Sequence, residues 1–275
     1  MVYDKTVRTE GKTTLRQAQL VMLEMMKVVD KICRKHDIQY WLDAGTLLGA
    51  VRHKGFIPWD DDLDIIMPRG DFNRFIEIAP QELPEDLFLQ TRKTDKSIWK
   101  WIKIRDNYST FIQKTEKDKK IKYHQGIFMD IFPFDLVKNG YNISKLFLNR
   151  RFQISEKTKK IAWILNPLST LLVKLIGFER LKKYFIKTHS GNNPRYVTPG
   201  IDFTLSFHSF EYDVIFPLKE IDFEGYSFMA PSDPDKYLTT IFGDYMKLPE
   251  EQARKTHAYK ILPFKKCNHK MSLQY

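Results

Sequence analysis

Four aspartates stand within one short segment of the chain, Trp59-Asp60-Asp61-Asp62-Leu63-Asp64, directly before the apolar run Ile65 to Met67. The apolar run predicts a buried strand, so the acids lie at its edge rather than in a free loop. Side chains alternate between the faces of a strand, which puts Asp62 and Asp64 on one face, and Asp60 joins them if the extended backbone reaches that far. Carboxylates that converge on one point are ligands for a hard cation such as Mg²⁺, and the alternative is a solvated acidic turn.

Gly45 and Thr46 stand upstream, where a predicted strand ends and a helix begins. Backbone N–H groups and a hydroxyl at a helix N-terminus suit a phosphate, although the same pair is common in ordinary turns. Asp130 lies in a third apolar strand, Gly126 to Phe132. Two-metal phosphoryl transfer often uses acids from neighbouring strands, so we predict Asp130 as a further metal ligand, against the alternative of a capped strand end.

Lys103 and Arg105 alternate along another predicted strand and would therefore share one face. Arginine and lysine side chains commonly hold phosphate groups. We predict that this pair binds phosphates of the substrate, and a solvated face of the sheet is an equal alternative.

The elements that must position these residues alternate between helices and strands. A capping box, Thr14 to Gln17, opens a helix that ends near His36. The further predictions are, in chain order, a strand Ile38–Asp43, a helix Gly45–Arg52, a strand Leu63–Met67, a helix Asp71–Ile78, strands Ile98–Ile104, Tyr108–Gln113 and Gly126–Phe132 with Pro133 closing the last, a helical block Leu146–His189, short strands and turns from Arg195, and a late helix Pro249–Lys255.

This alternation predicts an α/β (α+β) sheet domain. We divide the chain into a catalytic core at 1–145, a helical subdomain at 146–190 and a C-terminal part at 191–275 that completes the core. The boundaries follow the change from alternating elements to helix and back, since no clean linker is visible.

Composition narrows the classes of protein. The chain has 275 residues, a formal net charge of +11 and 43% hydrophobic residues, which describes a globular protein and not a disordered one. Its two cysteines, Cys33 and Cys267, form no CxxC pair, so a zinc ribbon and a thioredoxin motif are excluded. We see no secretory signal and no run of about 20 apolar residues that could span a membrane. The basic charge favours a nucleic acid, a nucleotide or an anionic membrane as partner, with plain solubility as the alternative.

The stretch Ile161 to Phe178 is apolar on one helical stripe and holds a single charge, Lys174. Basic residues flank it on both sides, and these are Lys157, Lys159, Lys160, Arg180, Lys182, Lys183 and Lys187. Two interpretations stay open, a helix in the core of the protein and an interfacial helix on an anionic membrane.

Three blocks of sequence occur together in the first half of the chain. They are Tyr40-Trp-Leu-Asp-Ala-Gly-Thr-Leu-Leu-Gly-Ala-Val-Arg-His53, Gly55-Phe-Ile-Pro-Trp-Asp-Asp-Asp-Leu-Asp-Ile65 and Phe128-Met-Asp-Ile-Phe-Pro-Phe-Asp135. In combination they resemble the LicD family of phosphocholine transferases, and the fukutin-related proteins carry a similar pattern. The resemblance implies a nucleotidyltransferase-type fold, a small mixed sheet with helices packed against it.

The resemblance also implies a reaction. A phospho-alcohol passes from a CDP-activated donor, typically CDP-choline in bacterial members, to a sugar hydroxyl of a surface glycan, lipid-linked sugar or teichoic acid precursor, and CMP leaves. A divalent cation, Mg²⁺ or Mn²⁺, would neutralise the pyrophosphate. The animal relatives carry an N-terminal membrane anchor that this chain lacks, so the expected location is cytoplasmic, with a peripheral position at the inner face of the plasma membrane if the apolar helix is interfacial.

Carried onto this chain, the resemblance assigns roles to individual residues. Gly45 and Thr46 take the place of the phosphate-binding turn. The metal ligands are Asp60, Asp62, Asp64 and Asp130, of which Asp62, Asp64 and Asp130 are also the catalytic residues. Asp130 would help remove the proton of the acceptor hydroxyl. Arg52 and His53 lie in the matching stretch and face the donor, and Lys103 and Arg105 hold its phosphates.

Several alternatives stay open. The donor head group could instead be ethanolamine, glycerol or ribitol, and a nucleotidyltransferase acting on RNA or a small molecule, or a non-catalytic scaffold, would share parts of the pattern. No RNA-binding module is visible, so we expect no nucleic-acid partner. Choline would need an aromatic or acidic box, for which Tyr196, Phe203, Phe207 and Tyr212 are guesses. We expect a structural polar contact for His257.

Overall fold

The computed structural model describes residues 3–95, 101–138, 159–191, 193–202 and 208–268. Its α-helices are α1 (Thr14–Lys35), α2 (Ala44–His53), α3 (Arg69–Glu82), α4 (Lys159–Ile176), α5 (Phe178–His189), α6 (Tyr212–Ile215) and α7 (Pro234–Phe242). Its strands are β1 (Trp41–Leu42), β2 (Asp64–Pro68), β3 (Leu87–Gln90), β4 (Ile102–Asp106), β5 (Thr110–Gln113), β6 (Phe128–Val137), β7 (Tyr196–Pro199), β8 (Phe210–Glu211), β9 (Lys219–Phe223), β10 (Tyr226–Ala230) and β11 (Ala258–Leu262).

The long strand β6 organises the main sheet. It pairs in parallel with β2 on one side and antiparallel with β4 on the other, in the order β1-β2-β6-β4-β3. The strand β7 pairs with the second half of β6, and β8 pairs with β7. Two small antiparallel pairs, β9 with β10 and β5 with β11, complete the strands. A mixed sheet flanked by helices confirms the predicted α/β (α+β) fold.

The helix α1 is the largest contributor to the core, and the sequence places its start almost correctly. The cap is Thr13 rather than Thr14, because the Thr13 side chain accepts a hydrogen bond from the Arg16 backbone N–H at 3.1 Å. An N-cap side chain satisfies one of the N–H groups that the first turn leaves without a helical partner. Val21, Met22 and Met25 of this helix are fully buried, so α1 packs against the sheet along a broad face.

The strand β6 passes through Pro133, where the sequence predicts that it ends. Antiparallel pairing with β4 reaches Ile131, and pairing with β7 begins at Phe134. Pro133 therefore falls between the two antiparallel partners, where a missing backbone donor interrupts neither ladder. The strand continues to Val137 and links the site to the helices beyond it.

The predicted late helix at Pro249–Lys255 is wrong. That segment holds only a single 3₁₀ turn, Glu251–Ala253, whereas the helix of this region is α7. Asp233 caps α7 by accepting a hydrogen bond from the Lys236 backbone N–H at 2.9 Å, and Pro234 occupies the first turn. Proline suits the first turn because its fixed φ is already helical and no N–H is needed there.

Two groups of buried apolar residues hold the molecule together. The larger joins α1, the main sheet and C-terminal residues such as Phe223 and Tyr237. The smaller surrounds Val137, Leu181 and Ile201, against which α4 and α5 pack. The helices α4 and α5 agree with the predicted helical block, of which residues 146–158 lie outside the described part of the chain. The domain boundaries at 145 and 190 stay predictions.

Among the described helices, none is both long and apolar enough to cross a bilayer. The predicted apolar stretch folds as α4, a tight turn at Gly177 and the start of α5.

Candidate active site

Three of the predicted site residues lie side by side across the main sheet. Asp64, the first residue of β2, is the register partner of Asp130 on β6, and Asp130 is the register partner of Lys103 on β4. Register partners present their side chains on the same face, so two carboxylates and an ammonium form one row. Strand pairing thereby joins residues from separate parts of the sequence.

The carboxylate of Asp130 is held by two donors. Lys103 Nζ lies 2.5 Å from Oδ1 and 2.7 Å from Oδ2, and the Trp101 indole N–H donates to Oδ1 at 2.8 Å. Burial raises the pKa of Asp130, although the charge of Lys103 opposes the shift. Burial likewise lowers the pKa of Lys103, and Asp130 opposes that shift. Lys103 and Asp130 form a buried ion pair next to Asp64.

The turn at Gly45 and Thr46 holds the acidic segment in place. Thr46 is buried, and its hydroxyl accepts a hydrogen bond from the Asp64 backbone N–H at 2.9 Å. A Cβ at position 45 would lie 2.8 Å from Asp60 Oδ2, so glycine is what lets this carboxylate approach the start of α2. These two residues therefore fix where Asp60 and Asp64 stand, and their predicted contact with phosphate stays a prediction.

The carboxylates of the acidic segment disfavour one another's charge. Burial, followed by the charges of Asp62 and Asp130, raises the pKa of Asp64 well above its usual range. Burial and the neighbouring Asp62 raise the pKa of Asp60 to about 8. Like charges in an enclosed site favour the neutral forms unless a cation compensates them.

We tested whether these residues fit a divalent cation. Within the described ranges, no three His, Cys, Asp or Glu side chains are arranged as a complete metal site. Mg²⁺ in phosphoryl-transfer enzymes usually takes one or two protein carboxylates and completes its shell with substrate phosphates and water. Asp62 and Asp64, with Asp60 beside them, fit a cation of that kind, one that the substrate helps to hold.

Asp61 serves a different purpose from its neighbours. Its side chain is 1% exposed and accepts hydrogen bonds from the backbone N–H groups of His257 at 2.8 Å and Ala258 at 2.6 Å. His257 Nδ1 lies 3.3 Å from Asp61 and 3.1 Å from Asp62. These two acceptors raise the pKa of His257 to about 10, so the imidazole is charged at neutral pH. The expected structural role of His257 agrees with this contact, which ties β11 to the acidic segment.

Two cavities meet at the carboxylates. The first, the aromatic cavity, has a volume of about 470 Å³ and carries the rings of Trp101, Phe128, Phe132, Phe134, Phe210 and Tyr237. The second, the basic cavity, has a volume of about 440 Å³ and is lined by Gly45, Arg52, Trp59, Asp60, Lys247 and other residues. Both are of small-molecule size. Asp62, Asp64 and His257 line both cavities.

Some predicted donor-binding residues are brought to these cavities and others are not. Arg52 lines the basic cavity, and its guanidinium also donates to the Tyr245 carbonyl at 2.8 Å. His53 lies behind Arg52 rather than on the cavity wall. Arg52 Nε donates to the His53 ring at 3.0 Å, and the Trp59 ring packs edge-on against the same imidazole.

Lys103 and Arg105 share one face of β4, as predicted, because both cations lie over the Phe128 ring. Lys103 lines the aromatic cavity. The guanidinium of Arg105 lies deeper, where it donates to Gln90 Oε1 at 2.9 Å and to the Gly126 carbonyl at 2.8 Å. Arg105 therefore joins β3, β4 and the segment before β6. A buried guanidinium is costly unless its N–H groups are hydrogen-bonded, and these contacts provide the acceptors.

Sequence reasoning missed Asp43 and Tyr237. Asp43 lies within the first quoted block, two residues before Gly45, and occupies the N-cap position of α2 without a capping hydrogen bond from its side chain. The Tyr237 hydroxyl donates to Asp43 Oδ1 at 2.6 Å, a contact across 194 residues of sequence. An acid at a strand end next to a turn that is predicted to bind phosphate is a signal that could have drawn attention to Asp43, whereas nothing local marks Tyr237.

The guessed aromatic box lies elsewhere. Tyr196 packs with the smaller apolar group around Val137, and Tyr212 is 39% exposed away from the carboxylates. Phe203 and Phe207 lie outside the described residues. The rings that do surround the site come from β6, β8, α7 and the residue before β4.

Carboxylates on neighbouring strands of a mixed sheet thus lie where two cavities of small-molecule size meet. Residues 37–174 match the family model described as "LicD/FKTN/FKRP, nucleotidyltransferase domain". The chain belongs to this family. The resemblance in the three sequence blocks is thereby confirmed.

Individual relatives agree with the family match. The chain is 32% identical over 265 residues to the lipopolysaccharide cholinephosphotransferase LicD of Haemophilus influenzae, covering 90% of this chain and 96% of that protein. It is 31% identical over 201 residues to the uncharacterized protein RP689 of Rickettsia prowazekii, covering 66% and 70%. The ribitol 5-phosphate transferase FKRP of Mus musculus is 38% identical over 56 residues, which is 20% of this chain and 11% of that protein. Two of these relatives are named as phosphotransferases, which confirms the prediction of an enzyme of that kind.

Proposed function

We propose that this protein transfers phosphocholine from CDP-choline to a sugar hydroxyl of a cell-surface glycan, such as a lipopolysaccharide or teichoic acid precursor, and releases CMP. The observation that carries the proposal is the position of Asp62 and Asp64 where the aromatic and basic cavities meet. Transfer of a phospho-alcohol needs space for the nucleotide on one side of the reacting centre, and space for the transferred group and the acceptor hydroxyl on the other. The relative from Haemophilus influenzae, which aligns over nearly its whole length, favours choline over ribitol, whose named relative aligns over a short segment.

The basic cavity suits the nucleotide half of the donor. Arg52 and Lys247 line it and provide positive charge for phosphates. Arg254 lies over the Trp59 ring at 4.3 Å, which gives this wall a flat, cationic surface that a cytosine ring can contact. We assign the leaving CMP to this side of the carboxylates.

Asp62 and Asp64 would hold a divalent cation together with the pyrophosphate, and Asp60 would support them from the basic cavity. When bound, Mg²⁺ or Mn²⁺ supplies positive charge that stabilises the pyrophosphate and the leaving group. Thr46 holds the Asp64 backbone, and Gly45 leaves room for Asp60, so the acidic segment is positioned before the substrate arrives.

The acceptor hydroxyl must approach the phosphorus from the side opposite CMP, which is the side of the aromatic cavity. Asp130 lines that cavity, and we assign it as the carboxylate that helps to remove the hydroxyl proton. Lys103 and Trp101 fix its orientation through the hydrogen bonds described above. The hydroxyl oxygen then forms the new P–O bond while the bond to CMP breaks.

Calorimetric titration of the purified chain tests the proposal. CDP-choline should bind in the presence of Mg²⁺ and bind much more weakly with EDTA. Asp62→Asn should remove the Mg²⁺-dependent part, whereas the exposed control Glu250→Gln should leave it unchanged. Release of CMP on addition of a glycan acceptor completes the test. Binding of ATP or RNA without any binding of CDP-choline would overturn the proposal in favour of the RNA alternative.

A further inference from the structure

The aromatic cavity has an unusual chemical composition for a site that handles phosphates. Six rings form its wall, and Phe134, Phe210 and Tyr237 among them are almost fully buried behind the surface they present. Phe210 and Tyr237 stack with ring centroids 4.2 Å apart, and Trp101 packs on Phe132 at 5.2 Å. Rings that brace one another in this way form a rigid apolar wall beside the reacting centre.

Asp43 adds a carboxylate to that wall. It is connected to the row of Asp64, Asp130 and Lys103, because its backbone N–H donates to the Asp64 carbonyl at 3.0 Å. The hydroxyl of Tyr237 fixes the orientation of its side chain. A carboxylate held among aromatic rings is a poor place for a phosphate and a favourable one for an organic cation.

The charges around the cavity point the same way. Among the described residues that line it are the carboxylates of Asp43, Asp62, Asp64 and Asp130 and the cations Lys103 and His257. Lys103 is paired with Asp130, and His257 with Asp61 and Asp62. In the proposed complex, a divalent cation that also binds the donor phosphates balances the charges of Asp62 and Asp64. The charge of Asp43 is then left for a positively charged group of the substrate.

We propose that the aromatic cavity binds the quaternary ammonium head group of the donor, with Asp43 opposite its charge and the rings of Trp101 and Phe132 against its methyl groups. This inference rests on the proposed function and deepens it, since it names the residues that select the alcohol. A primary ammonium is more strongly hydrated and needs hydrogen-bond acceptors, and a polyol needs partners for its hydroxyls. Asp43 can accept from only part of a primary ammonium, and the rings leave its other donors and the hydroxyls of a polyol without partners, so ethanolamine, glycerol and ribitol donors are disfavoured.

Paired titrations with CDP-choline and with CDP test this assignment, because CDP lacks the head group. Asp43→Asn and Phe132→Leu should each weaken CDP-choline by about tenfold, the size expected when a desolvated cation loses a carboxylate or a ring. Both should leave CDP within about twofold of the parent protein. The Asp43 side chain makes no capping hydrogen bond that asparagine would lose, and leucine keeps the apolar character at position 132, so both variants should fold. The parent protein should also prefer CDP-choline to CDP-ethanolamine.

The outcomes separate this inference from the proposed function. If the parent protein binds neither CDP-choline nor CDP, the proposed function fails. If both ligands bind the parent protein but each variant weakens CDP and CDP-choline equally, or if CDP-ethanolamine binds as well as CDP-choline, the head-group assignment is overturned while the transferase remains. Melting temperatures of the variants, measured alongside, show whether a loss reflects unfolding.

A second inference comes from the outer surface of α4 and α5. Apolar side chains on this surface are exposed, with Leu171 at 53% and Leu175 at 71%, and Leu168, Ile176 and Tyr184 share the exposure. The opposite faces of the two helices pack on Val137, Leu181 and Ile201. The pair is therefore anchored to the sheet on one side and presents leucines to its surroundings on the other.

The charged side chains on this surface indicate which kind of partner covers it. Its exposed cations are Lys174, Arg180, Lys183 and Lys187, and its exposed acid, Glu179, is paired with Lys182. We infer that this face lies on an anionic lipid surface, with the leucines inserted among the acyl chains and the lysines at the head groups. Such a position would bring the enzyme to a lipid-linked acceptor.

Vesicle sedimentation tests the inference. The chain should sediment with vesicles of phosphatidylglycerol and phosphatidylcholine but not with phosphatidylcholine alone, and added salt should reduce the bound fraction. Leu171→Ser combined with Leu175→Ser should abolish sedimentation, whereas Phe264→Ser, at a residue 60% exposed elsewhere, should not. Equal sedimentation of the leucine variant and the parent overturns the inference. Absence of lipid binding together with a dimer that the leucine variant dissociates assigns the face to a second copy instead.

Discussion

Adjacent residues of the acidic segment have different roles, since one anchors the backbone and the next faces the cavities. Asp61 points away from the cavities and accepts backbone hydrogen bonds from β11, whereas Asp62 lines both cavities. The alternation of side chains along an extended segment separates the two roles between neighbours.

Substitutions at these two positions should have opposite consequences. Asp61→Ala leaves backbone N–H groups of His257 and Ala258 without their acceptor, so we expect the free energy of unfolding to fall by about 1–3 kcal/mol. Asp62→Asn should stay within about 0.5 kcal/mol of the parent protein and lose Mg²⁺-dependent binding of CDP-choline. Urea unfolding and calorimetry measure the two effects. A stable Asp61→Ala protein would contradict the anchoring role.

The ion pair of Lys103 and Asp130 allows a second residue-scale prediction. Lys103→Met leaves a buried carboxylate without its counter-charge and should cost about 3–5 kcal/mol of stability. The double variant Lys103→Met with Asp130→Asn removes both charges and should recover much of that loss. A double-mutant cycle by urea unfolding gives the coupling between the two residues. Additive losses would show that the pair is not coupled.

The site residues differ in how far sequence could predict them. Spacing alone places Asp62 and Asp64 on one face, and the apolar strand before Phe132 suggests that Asp130 joins them, which the register confirms. Local sequence cannot show that Arg105 turns inward to Gln90, because the acceptor lies on another strand. It cannot show the contact of Tyr237 with Asp43 either, since only the fold brings these residues together.

At the scale of elements, the start of α1 offers a direct test. Thr13→Ala removes the side chain that accepts from the Arg16 N–H and should lower the free energy of unfolding by about 1 kcal/mol. Thr14→Ala is the matched control at an exposed helical position and should be neutral or slightly stabilising, since alanine favours helix. Thermal or urea unfolding compares the two. A larger loss for Thr14→Ala would return the cap to the position that the sequence suggests.

Most elements of the core could be predicted because their signals are local. Helical spacing marks α1, glycines mark α2, a β-branched run marks β2, and an apolar run before Pro133 marks β6. The misplaced late helix shows where local signals compete, since the Asp233-Pro234 start of α7 is as clear a signal as the proline at 249. The extension of β6 beyond Pro133 depends on where its neighbours β4 and β7 end and begin, which is a property of the sheet.

For the whole molecule, Arg69 connects the sheet to the helical pair. Its guanidinium donates to Asp135 on β6 at 2.7 Å and to Asp202 at 2.6 Å, and Lys182 of α5 lies 3.4 Å from Asp202. Burial alone would raise the pKa of Asp202, but the charges of Arg69 and Lys182 outweigh it and lower that pKa. The charged form of Asp202 is therefore stabilised by the fold.

This network predicts a loss of stability in acid. A pKa lowered by folding means that Asp202 contributes stability above its unfolded pKa of about 3.9, and the contribution disappears as pH falls through the lower folded value. Asp202→Asn should therefore be less stable than the parent protein at pH 7, and the difference should shrink below about pH 4. Unfolding curves across this range measure it. A difference that stays constant with pH would contradict the role of the charge.

The contacts from Asp43 to Tyr237 and from Asp61 to His257 have a consequence for biosynthesis. All three sequence blocks that mark the family have been synthesised once translation reaches residue 140. Neither cavity can be completed until the last quarter of the chain has also been made. A translation product that stops short of residue 237 would carry the full family signature and still lack part of the wall of both cavities. Both cavities are thus completed only when the segment that contains Tyr237 and His257 has been synthesised.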